Sequence, residues 1–217
     1  MLIHRWDTAL DDQEWRSFVV EQGFGHLVAP GKDREFPAVV PTQFALTVGE
    51  EGGNVILMHL ARPNPIWTAI SENPRVLMSV AGDWAFIPAS WKAIGDEDPA
   101  QGIPTTYYGA VQLCGTAEVL DDPAETAAVL RRQLGTLPLD KGQVDPNEHP
   151  KELRTIRGLR IPITEVRAKF KYGGNVDVPH RMAVIERLLA RNGPGDRAAV
   201  RHLRQHLRAE EENGAPG

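Results

Sequence analysis

The sequence has few of the features that define several large protein classes. Its 217 residues include a single cysteine, Cys114, which excludes an internal disulfide. No apolar run approaches the roughly 20 residues that cross a bilayer, so we expect no membrane-spanning segment. The first residues lack the basic and apolar regions of a secretion signal, and we therefore expect a cytoplasmic protein.

Catalytic motifs and positive charge are also scarce. The sequence contains no Gly-x-Ser-x-Gly, His-Glu-x-x-His, Cys-x-x-Cys or Walker pattern, which argues against hydrolase and kinase functions. The 24 basic and 29 acidic side chains give a net charge of -5, so no overall field attracts nucleic acid. Binding to DNA would need a local basic patch.

The residues that are present indicate a folded chain rich in turns. Apolar residues make up 41% of the sequence, and its length favours one continuous core of roughly 150 to 180 residues with added peripheral elements. The 20 glycines and 17 prolines are dispersed rather than periodic, which favours short strands joined by turns. We therefore expect a mainly β fold of the α+β class.

Alternating apolar residues predict the strands, which form an antiparallel meander in the first part of the chain. The longest predicted strand is too long to be simple, so we expect a bend near Gly109 or Gly115. The predicted strands cover residues 25–29, 36–41, 43–48, 54–60, 75–81, 84–88, 105–120 and 161–171.

Capping residues predict where the helices begin. Asp11 precedes an amphipathic helix that ends at Gly23, and Asp122 with Pro123 begins another that ends near Leu134. Asn64 and Pro65 begin a short helix that ends before residue 74. Further helices are predicted over residues 150–159, 179–191 and 196–212, and residues 210–217 have the composition of a disordered tail.

The last predicted helix carries two patterns of polar residues. Four arginines share one stripe, which either contacts an anion or nucleic acid or is a solvated face opposite packed apolar residues, the interpretation we favour. His202 and His206 have the spacing of a two-histidine metal site, but no third ligand is nearby in sequence, so we interpret them as surface histidines. The arginines are Arg197, Arg201, Arg204 and Arg208.

Two local patterns combine positive charge with a change of backbone direction. The first is a strand-to-helix junction, where His59 and Arg62 stand beside main-chain amides that can bind an anion. The second is at the end of the last strand, where alternation puts Lys169 and Lys171 on one face. An ordinary capped helix and a solvated strand end are the alternative interpretations.

Five ordered blocks resemble the PaiB-like FMN-binding family, known for negative transcriptional regulators. Residues 59–67, His-Leu-Ala-Arg-Pro-Asn-Pro-Ile-Trp, are similar to the family's His-x-Ala-Arg-x-Asn-Pro-x-Trp segment. Lys169, Phe170 and Lys171 with Asn175 resemble its Lys-Trp-Lys-x-x-x-Asn. The other blocks lie at residues 85–91, 103–108 and 114–117, and the resemblance covers roughly residues 1–190.

The resemblance implies a split β-barrel with peripheral helices, related to pyridoxamine-phosphate oxidases and flavin reductases. In that fold a homodimer holds two FMN molecules non-covalently at its interface. The implied domain covers residues 1–190, followed by an arginine-rich helical extension and tail over residues 191–217. The implied cofactor-binding residues are Thr42, Gln43, His59, Leu60, Ala61, Arg62, Asn64, Trp91, Thr105, Lys169 and Lys171.

Two functions follow from this resemblance. The first is a flavin-binding regulatory protein, whose partner could be DNA. The second is an FMN-dependent oxidoreductase that exchanges electrons with NAD(P)H or another acceptor, for which no separate dinucleotide motif is required. No catalytic acid or base is assigned in either case.

Overall fold

The structure is a computed structural model that describes residues 1–136, 145–212 and 214. Over these residues the chain forms eight strands and six α-helices. The strands are β1 (Phe24–Ala29), β2 (Ala38–Gln43), β3 (Ala45–Val48), β4 (Asn54–Ala61), β5 (Arg75–Ile87), β6 (Thr105–Thr116), β7 (Glu118–Leu120) and β8 (Ile156–Lys171). The helices are α1 (Asp12–Gln22), α2 (Ile66–Glu72), α3 (Pro123–Leu134), α4 (Pro150–Leu153), α5 (Val178–Arg191) and α6 (Asp196–Glu212).

The strands follow the order β2-β1-β5-β6-β8-β4-β3, and β7 pairs with β8 beside this path. The β1/β2, β3/β4 and β4/β8 pairs are antiparallel, as are β1/β5 and β7/β8. Apolar and polar residues alternate along β6, as expected for a strand with one buried face. The predicted fold class, mainly β with peripheral helices, is confirmed.

Helix caps act as the sequence predicts. Asp11 accepts a hydrogen bond of 2.8 Å from the Glu14 amide, and Gly23 ends α1 with a φ of 56°. Asp122 accepts bonds of 2.9 and 3.1 Å from the Ala124 and Glu125 amides at the start of α3. Local side-chain chemistry therefore fixes these helix boundaries.

Several predicted segments differ in extent from the structure. Residues 75–81 and 84–87 belong to the single strand β5, because Gly82 does not take a turn conformation, and Pro88 lies outside it. The strands predicted over residues 36–41, 43–48 and 161–171 begin instead at Ala38, Ala45 and Ile156. The helix predicted over residues 150–159 stops at Leu153, since residues 156–162 pair with β4 instead. Pairing between distant strands overrides local helix preference here.

The predicted strand over residues 105–120 is interrupted at Ala117. The Ala117 amide leaves the ladder and donates a 2.8 Å hydrogen bond to the carbonyl of Pro74. Just before this point, a Cβ on Gly115 would lie only 2.3 Å from the Pro162 carbonyl oxygen. Glycine is therefore required at this position of β6, where the main chain of β8 leaves no room for a side chain.

The chain divides into two compact units. The first unit contains residues 1–18, 81–111 and 168–217, and the second contains residues 19–80 and 112–167. Large side chains fill the interior of each unit. In the first unit these include Ile87, Tyr107, Phe170 and Ile185, and in the second Leu27, Ile56, Met58 and Leu159.

The C-terminal helices belong to the first unit. Helices α5 and α6 agree with the predicted helices to within one residue, and α6 buries Val200, Leu203 and Leu207. Glu210–Glu212 are helical rather than part of a tail. The rest of the predicted tail is residues 213–217, and the structure describes only residue 214 of these. The proposed domain boundary after residue 190 stays a prediction.

Candidate functional site

The strand-to-helix junction of the second unit is a tightly bonded turn. After β4 ends at Ala61, the Asn64 amide donates to the Ala61 carbonyl at 3.0 Å, and Trp67 Nε1 donates to the same oxygen at 2.9 Å. Asn64 Oδ1 accepts from the Ile66 amide at 3.1 Å, but the residue at the N-cap of α2 is Pro65 rather than Asn64 as predicted, because the helix begins one residue later, at Ile66. The first amides of α2 are thus already bonded, so any attraction for an anion must come from side chains.

Arg62 lies on this turn with a fixed side chain. Its Nε donates to the Arg154 carbonyl at 3.0 Å, its Nη1 to Asp121 Oδ1 at 2.9 Å and its Nη2 to the Ile156 carbonyl at 3.2 Å. These bonds use three of the five N–H donors of a guanidinium group. Because 41% of the side chain is exposed, the remaining donors can meet a ligand without moving the arginine.

A second arginine shares the same carboxylate. Arg157 donates to both oxygens of Asp121, at 2.7 and 2.9 Å, and its guanidinium lies 5.5 Å from the centre of the Trp67 ring. The hydrogen bonds from Arg157, followed by those from Arg62, lower the pKa of Asp121. Two guanidinium groups against one carboxylate leave a local excess of one positive charge.

His59 and Gln43 are joined by a residue that the sequence analysis missed. Gln133 on α3 is buried; its Nε2 donates to the Gln43 carbonyl at 3.0 Å, and its Oε1 lies 2.6 Å from His59 Nδ1. Since the amide oxygen can only accept, His59 Nδ1 carries the hydrogen in this bond. Thr42 Oγ1 also donates to the Gln43 carbonyl, at 3.1 Å. The sequence signal was a glutamine on the buried face of α3, next to Val129 in helical spacing.

Gln43 also borders a cavity of the second unit. This cavity has a volume of about 230 Å³ and is lined by Gln43, Phe44, Gln133 and residues at the end of α1. Its lining combines apolar side chains with the amides of Gln22, Gln43 and Gln133 and the carboxylate of Glu21. Small-molecule sites commonly combine an apolar lining with a few polar groups.

In the first unit, the two predicted lysines face the same ring. Lys169 Nζ and Lys171 Nζ lie 5.9 and 6.0 Å from the centre of the Tyr108 ring, as expected from their alternation on β8. Lys171 Nζ donates to Thr105 Oγ1 at 2.8 Å. Lys169 is only 8% exposed, so the alternative of a solvated strand end is wrong for this residue.

Both lysines line a cavity of about 370 Å³, which we call the lysine cavity. A third lysine, Lys92, and a buried carboxylate, Asp7, also line it, and neither was predicted. Lys169 Nζ lies 3.6 Å from Asp7 Oδ2 and donates to the Leu2 carbonyl at 2.9 Å. The cavity is defined by Trp6, Asp7, Lys92, Thr105, Lys169 and Lys171, together with neighbouring residues.

Trp91 has different partners from the other predicted residues of this unit. The Arg191 guanidinium lies 4.6 Å from the centre of its ring, and its carbonyl accepts a hydrogen bond from Arg187 Nη1. Trp91 thus contacts α5, whereas the next residue, Lys92, lines the lysine cavity.

The prediction that His202 and His206 lie at the surface is wrong. They are 6% and 8% exposed, and His206 Nε2 donates to Glu14 Oε1 at 2.7 Å. His202 stacks on Tyr172, with ring centres 4.6 Å apart. Apolar packing of α6 carries both histidines inward to a carboxylate that lies far away in sequence. Over the described residues no group of three ligating side chains is arranged to hold a metal ion.

The four arginines of α6 are exposed, as the favoured interpretation predicted. They border a surface groove of about 640 Å³ whose floor includes Leu189 and Val200. We call this surface the arginine groove; it consists of Leu189, Asn192, Arg197, Val200, Arg201, Arg204 and Arg208.

The sequence matches the family described as "Putative FMN-binding domain" over residues 1–165. The chain belongs to this family. The PaiB-like resemblance and FMN as the cofactor are thereby confirmed. The matched segment includes the predicted residues from Thr42 to Thr105, whereas Lys169 and Lys171 lie beyond it. The described helices are too short or too polar to span a bilayer.

Known proteins similar to this FMN-binding chain include one curated relative. The chain is 24% identical over 213 residues to "Protease synthase and sporulation protein PAI 2" of Bacillus subtilis, covering 96% of this chain and 99% of that protein. The relative thus matches the chain over nearly its whole length.

Solved structures support the fold. The flavocytochrome Anf3 from Azotobacter vinelandii has a TM-score of 0.56 at 19% identity, covering 83% of this chain and 78% of that one. A FAD and heme binding protein from Mycobacterium smegmatis has a TM-score of 0.55 at 16% identity, covering 81% and 78%. The predicted split β-barrel is confirmed.

Proposed function

We propose that this protein is a cytoplasmic homodimer that binds FMN non-covalently at its interface and acts as a flavin-dependent regulator. The observation that carries the FMN site is the fixed, half-exposed guanidinium of Arg62 on the turn after β4. A prepositioned arginine loses little side-chain entropy when it binds a phosphate group.

The phosphate end of FMN binds at this turn. Arg62 contributes the N–H donors that its three intramolecular bonds leave over, and Asn64 contributes its side-chain amide. The excess positive charge of Arg62 and Arg157 over Asp121 favours a dianionic ester. His59, on β4, also faces this contact, and Leu60 and Ala61 flank it.

We propose Thr42 and Gln43 as contacts of the isoalloxazine ring. Gln43 lines the smaller cavity, and the buried Gln133 donates to its carbonyl. Trp91 and Thr105 remain proposed contacts of FMN, and Lys169 and Lys171 remain proposed sources of positive charge; all four belong to the first unit. When bound, FMN supplies the redox chemistry, and hydrogen bonds from the protein to the ring adjust its potential.

Absorption spectroscopy tests the cofactor. Purified protein, or protein incubated with excess FMN and then dialysed, should show the bands of oxidised flavin at one FMN per chain. Sedimentation analysis should give a dimer. A colourless protein after this treatment would reject the flavin function, and a monomer that retains FMN would reject the interface site.

The regulatory role is supported by the arginine groove. Four exposed arginines on one helix form a local basic surface on a chain whose net charge is -5. Guanidinium groups bind the phosphates of nucleic acid through charge-assisted bonds that weaken as salt concentration rises. Duplex DNA is the partner that this surface fits.

A mobility-shift assay tests that partner. Arg204→Ala with Arg208→Ala should weaken binding to duplex DNA and reduce its salt dependence, whereas Arg75→Ala with Arg132→Ala, two exposed arginines of the second unit, should not. Equal binding by both double variants would reject this surface as the DNA-binding site.

The second candidate function is an FMN-dependent oxidoreductase, which is favoured by the lysine cavity because such a site can hold an anionic substrate. Anaerobic addition of NADPH distinguishes the two functions. Bleaching of the flavin within the time of a catalytic turnover supports the oxidoreductase. Flavin that stays oxidised supports the regulator.

A further inference from the structure

We propose that the lysine cavity of the first unit binds the phosphate or carboxylate group of a small organic anion. The inference deepens the proposed function, since two of its lysines belong to the proposed flavin surroundings. The anionic group has two possible sources, the phosphate of FMN itself or a second ligand, and the experiment below separates them.

The lining of the lysine cavity carries an excess of positive charge. Lys92, Lys169 and Lys171 all line the cavity, and among the lining residues that the structure describes Asp7 is the single carboxylate. Asp7 is 2% exposed and faces Lys169 at 3.6 Å. Its charge is therefore matched by Lys169, and Lys92 and Lys171 remain as an excess of two positive charges.

This excess of positive charge is energetically unfavourable by itself. Burial lowers the pKa of Lys92, and the positive charge of Lys171 lowers it further. Ammonium groups that are partly removed from water and close to each other are unfavourable unless an anion accompanies them. An oxyanion in the cavity would offset both effects.

The hydrogen bonds of the lining leave a hydroxyl donor available. Lys171 Nζ donates to Thr105 Oγ1, so the hydroxyl oxygen acts as an acceptor in that bond and its hydrogen is directed elsewhere. This hydrogen can donate to an oxyanion. Lys169 is held by the Leu2 carbonyl and Asp7, which fixes its position in the wall.

The size and the apolar part of the lining indicate an organic ligand. The volume of about 370 Å³ lies in the range of small-molecule sites and is much larger than a bare inorganic ion requires. Trp6 and Ile103 add apolar surface, and the Trp6 ring stacks on His4 with centres 4.7 Å apart. The occupant therefore carries an apolar group next to its anionic group.

Calorimetric titration of the full, flavin-free chain tests the inference. Phenyl phosphate should bind, and more tightly than inorganic phosphate because it also fills the apolar part. Lys171→Met and Lys92→Met should each weaken phenyl phosphate binding roughly 10- to 100-fold, the loss expected for one charge-assisted hydrogen bond. Lys151→Met removes an exposed lysine of the second unit and should leave the affinity unchanged.

Folding is checked separately. Lys171→Arg keeps the charge and should retain most of the affinity for phenyl phosphate. A loss of affinity in Lys171→Met but not in Lys171→Arg is then caused by the lost charge and not by the substitution as such. Absence of phenyl phosphate binding, or equal affinity in the wild type, Lys92→Met and Lys171→Met, would overturn the inference. Because the protein is flavin-free, a failure of FMN binding in the earlier test does not affect this result.

Saturation with flavins identifies the source of the anion. If FMN abolishes phenyl phosphate binding whereas riboflavin does not, the cavity holds the phosphate of FMN, and the assignment of that phosphate to Arg62 is rejected. If phenyl phosphate still binds to the FMN-saturated protein, the cavity holds a second ligand, which has the chemistry of an anionic substrate. Both results support an anion site and differ in its occupant.

Discussion

The buried carboxylate of Glu14 is expected to make folding strongly dependent on pH. Glu14 is 4% exposed and receives hydrogen bonds of 2.7 Å from His206 Nε2 and from the Leu10 amide. His202 Nδ1 lies 3.9 Å from the same Oε1 that His206 contacts. Burial alone would raise the pKa of Glu14, but the two histidines and the Leu10 amide lower it from 4.5 to about 2.

The magnitude follows from this shift. One pKa unit corresponds to about 1.4 kcal/mol, so a change from 4.5 to about 2 represents roughly 3 kcal/mol of stability. Since the folded-state pKa is the lower one, this stability is fully present above pH 4.5 and is lost as the pH falls toward 2. Glu14→Gln removes the charge and should lose about 3 kcal/mol at pH 7.

Urea denaturation between pH 7 and pH 2.5, followed by tryptophan fluorescence, measures the effect. The wild type and Glu14→Gln should differ most near neutral pH and converge at the acid end. Glu186→Gln, the same substitution at an exposed position of α5, should stay within about 0.5 kcal/mol of the wild type. Curves for the wild type and Glu14→Gln that run parallel through the acid range would refute the assigned role of Glu14.

Three further substitutions test the junction, the sheet and a helix cap. Arg62→Ala should weaken FMN retention by about 1.5 to 3 kcal/mol but leave riboflavin binding unchanged, since riboflavin has no phosphate; equal losses for both flavins would contradict the phosphate assignment. Gly115→Ala places a Cβ 2.3 Å from a main-chain oxygen of β8 and should lower the melting temperature, whereas Gly53→Ala, with no atom within 4 Å of its new Cβ, should not. Asp122→Ala should cost about 1 kcal/mol in unfolding free energy through the lost cap of α3, and an unchanged urea midpoint would show that the cap contributes nothing.

The sequence was sufficient where structure depends on neighbours along the chain. Asp11, Gly23 and Asp122 fix helix ends through bonds to residues at most a few positions away. The helices α5 and α6 were likewise predicted to within one residue of their observed bounds. The sequence did not predict secondary structure that depends on pairing with a distant strand, as at residues 156–162, which pair with β4.

In the candidate site, too, local features could be predicted from the sequence and long-range contacts could not. Arg62 could be predicted from its motif, but its carboxylate partner, Asp121, lies 59 positions away and carries no local sign of that role. Lys92 and Asp7 join Lys169 in one cavity although they come from separate parts of the chain. The sequence showed the helical spacing of His202 and His206, but it did not show that both face a buried carboxylate.

The two units are built from different parts of the chain, which affects the order in which they can fold during synthesis. All residues of the second unit have been translated once residue 167 is reached, whereas the first unit needs both ends of the chain. Glu14 meets His206 only after a further 192 residues have been added. On the ribosome the contact between Glu14 and α6 therefore cannot form until α6 has emerged, so the first unit is completed only after every residue of the second unit has been translated.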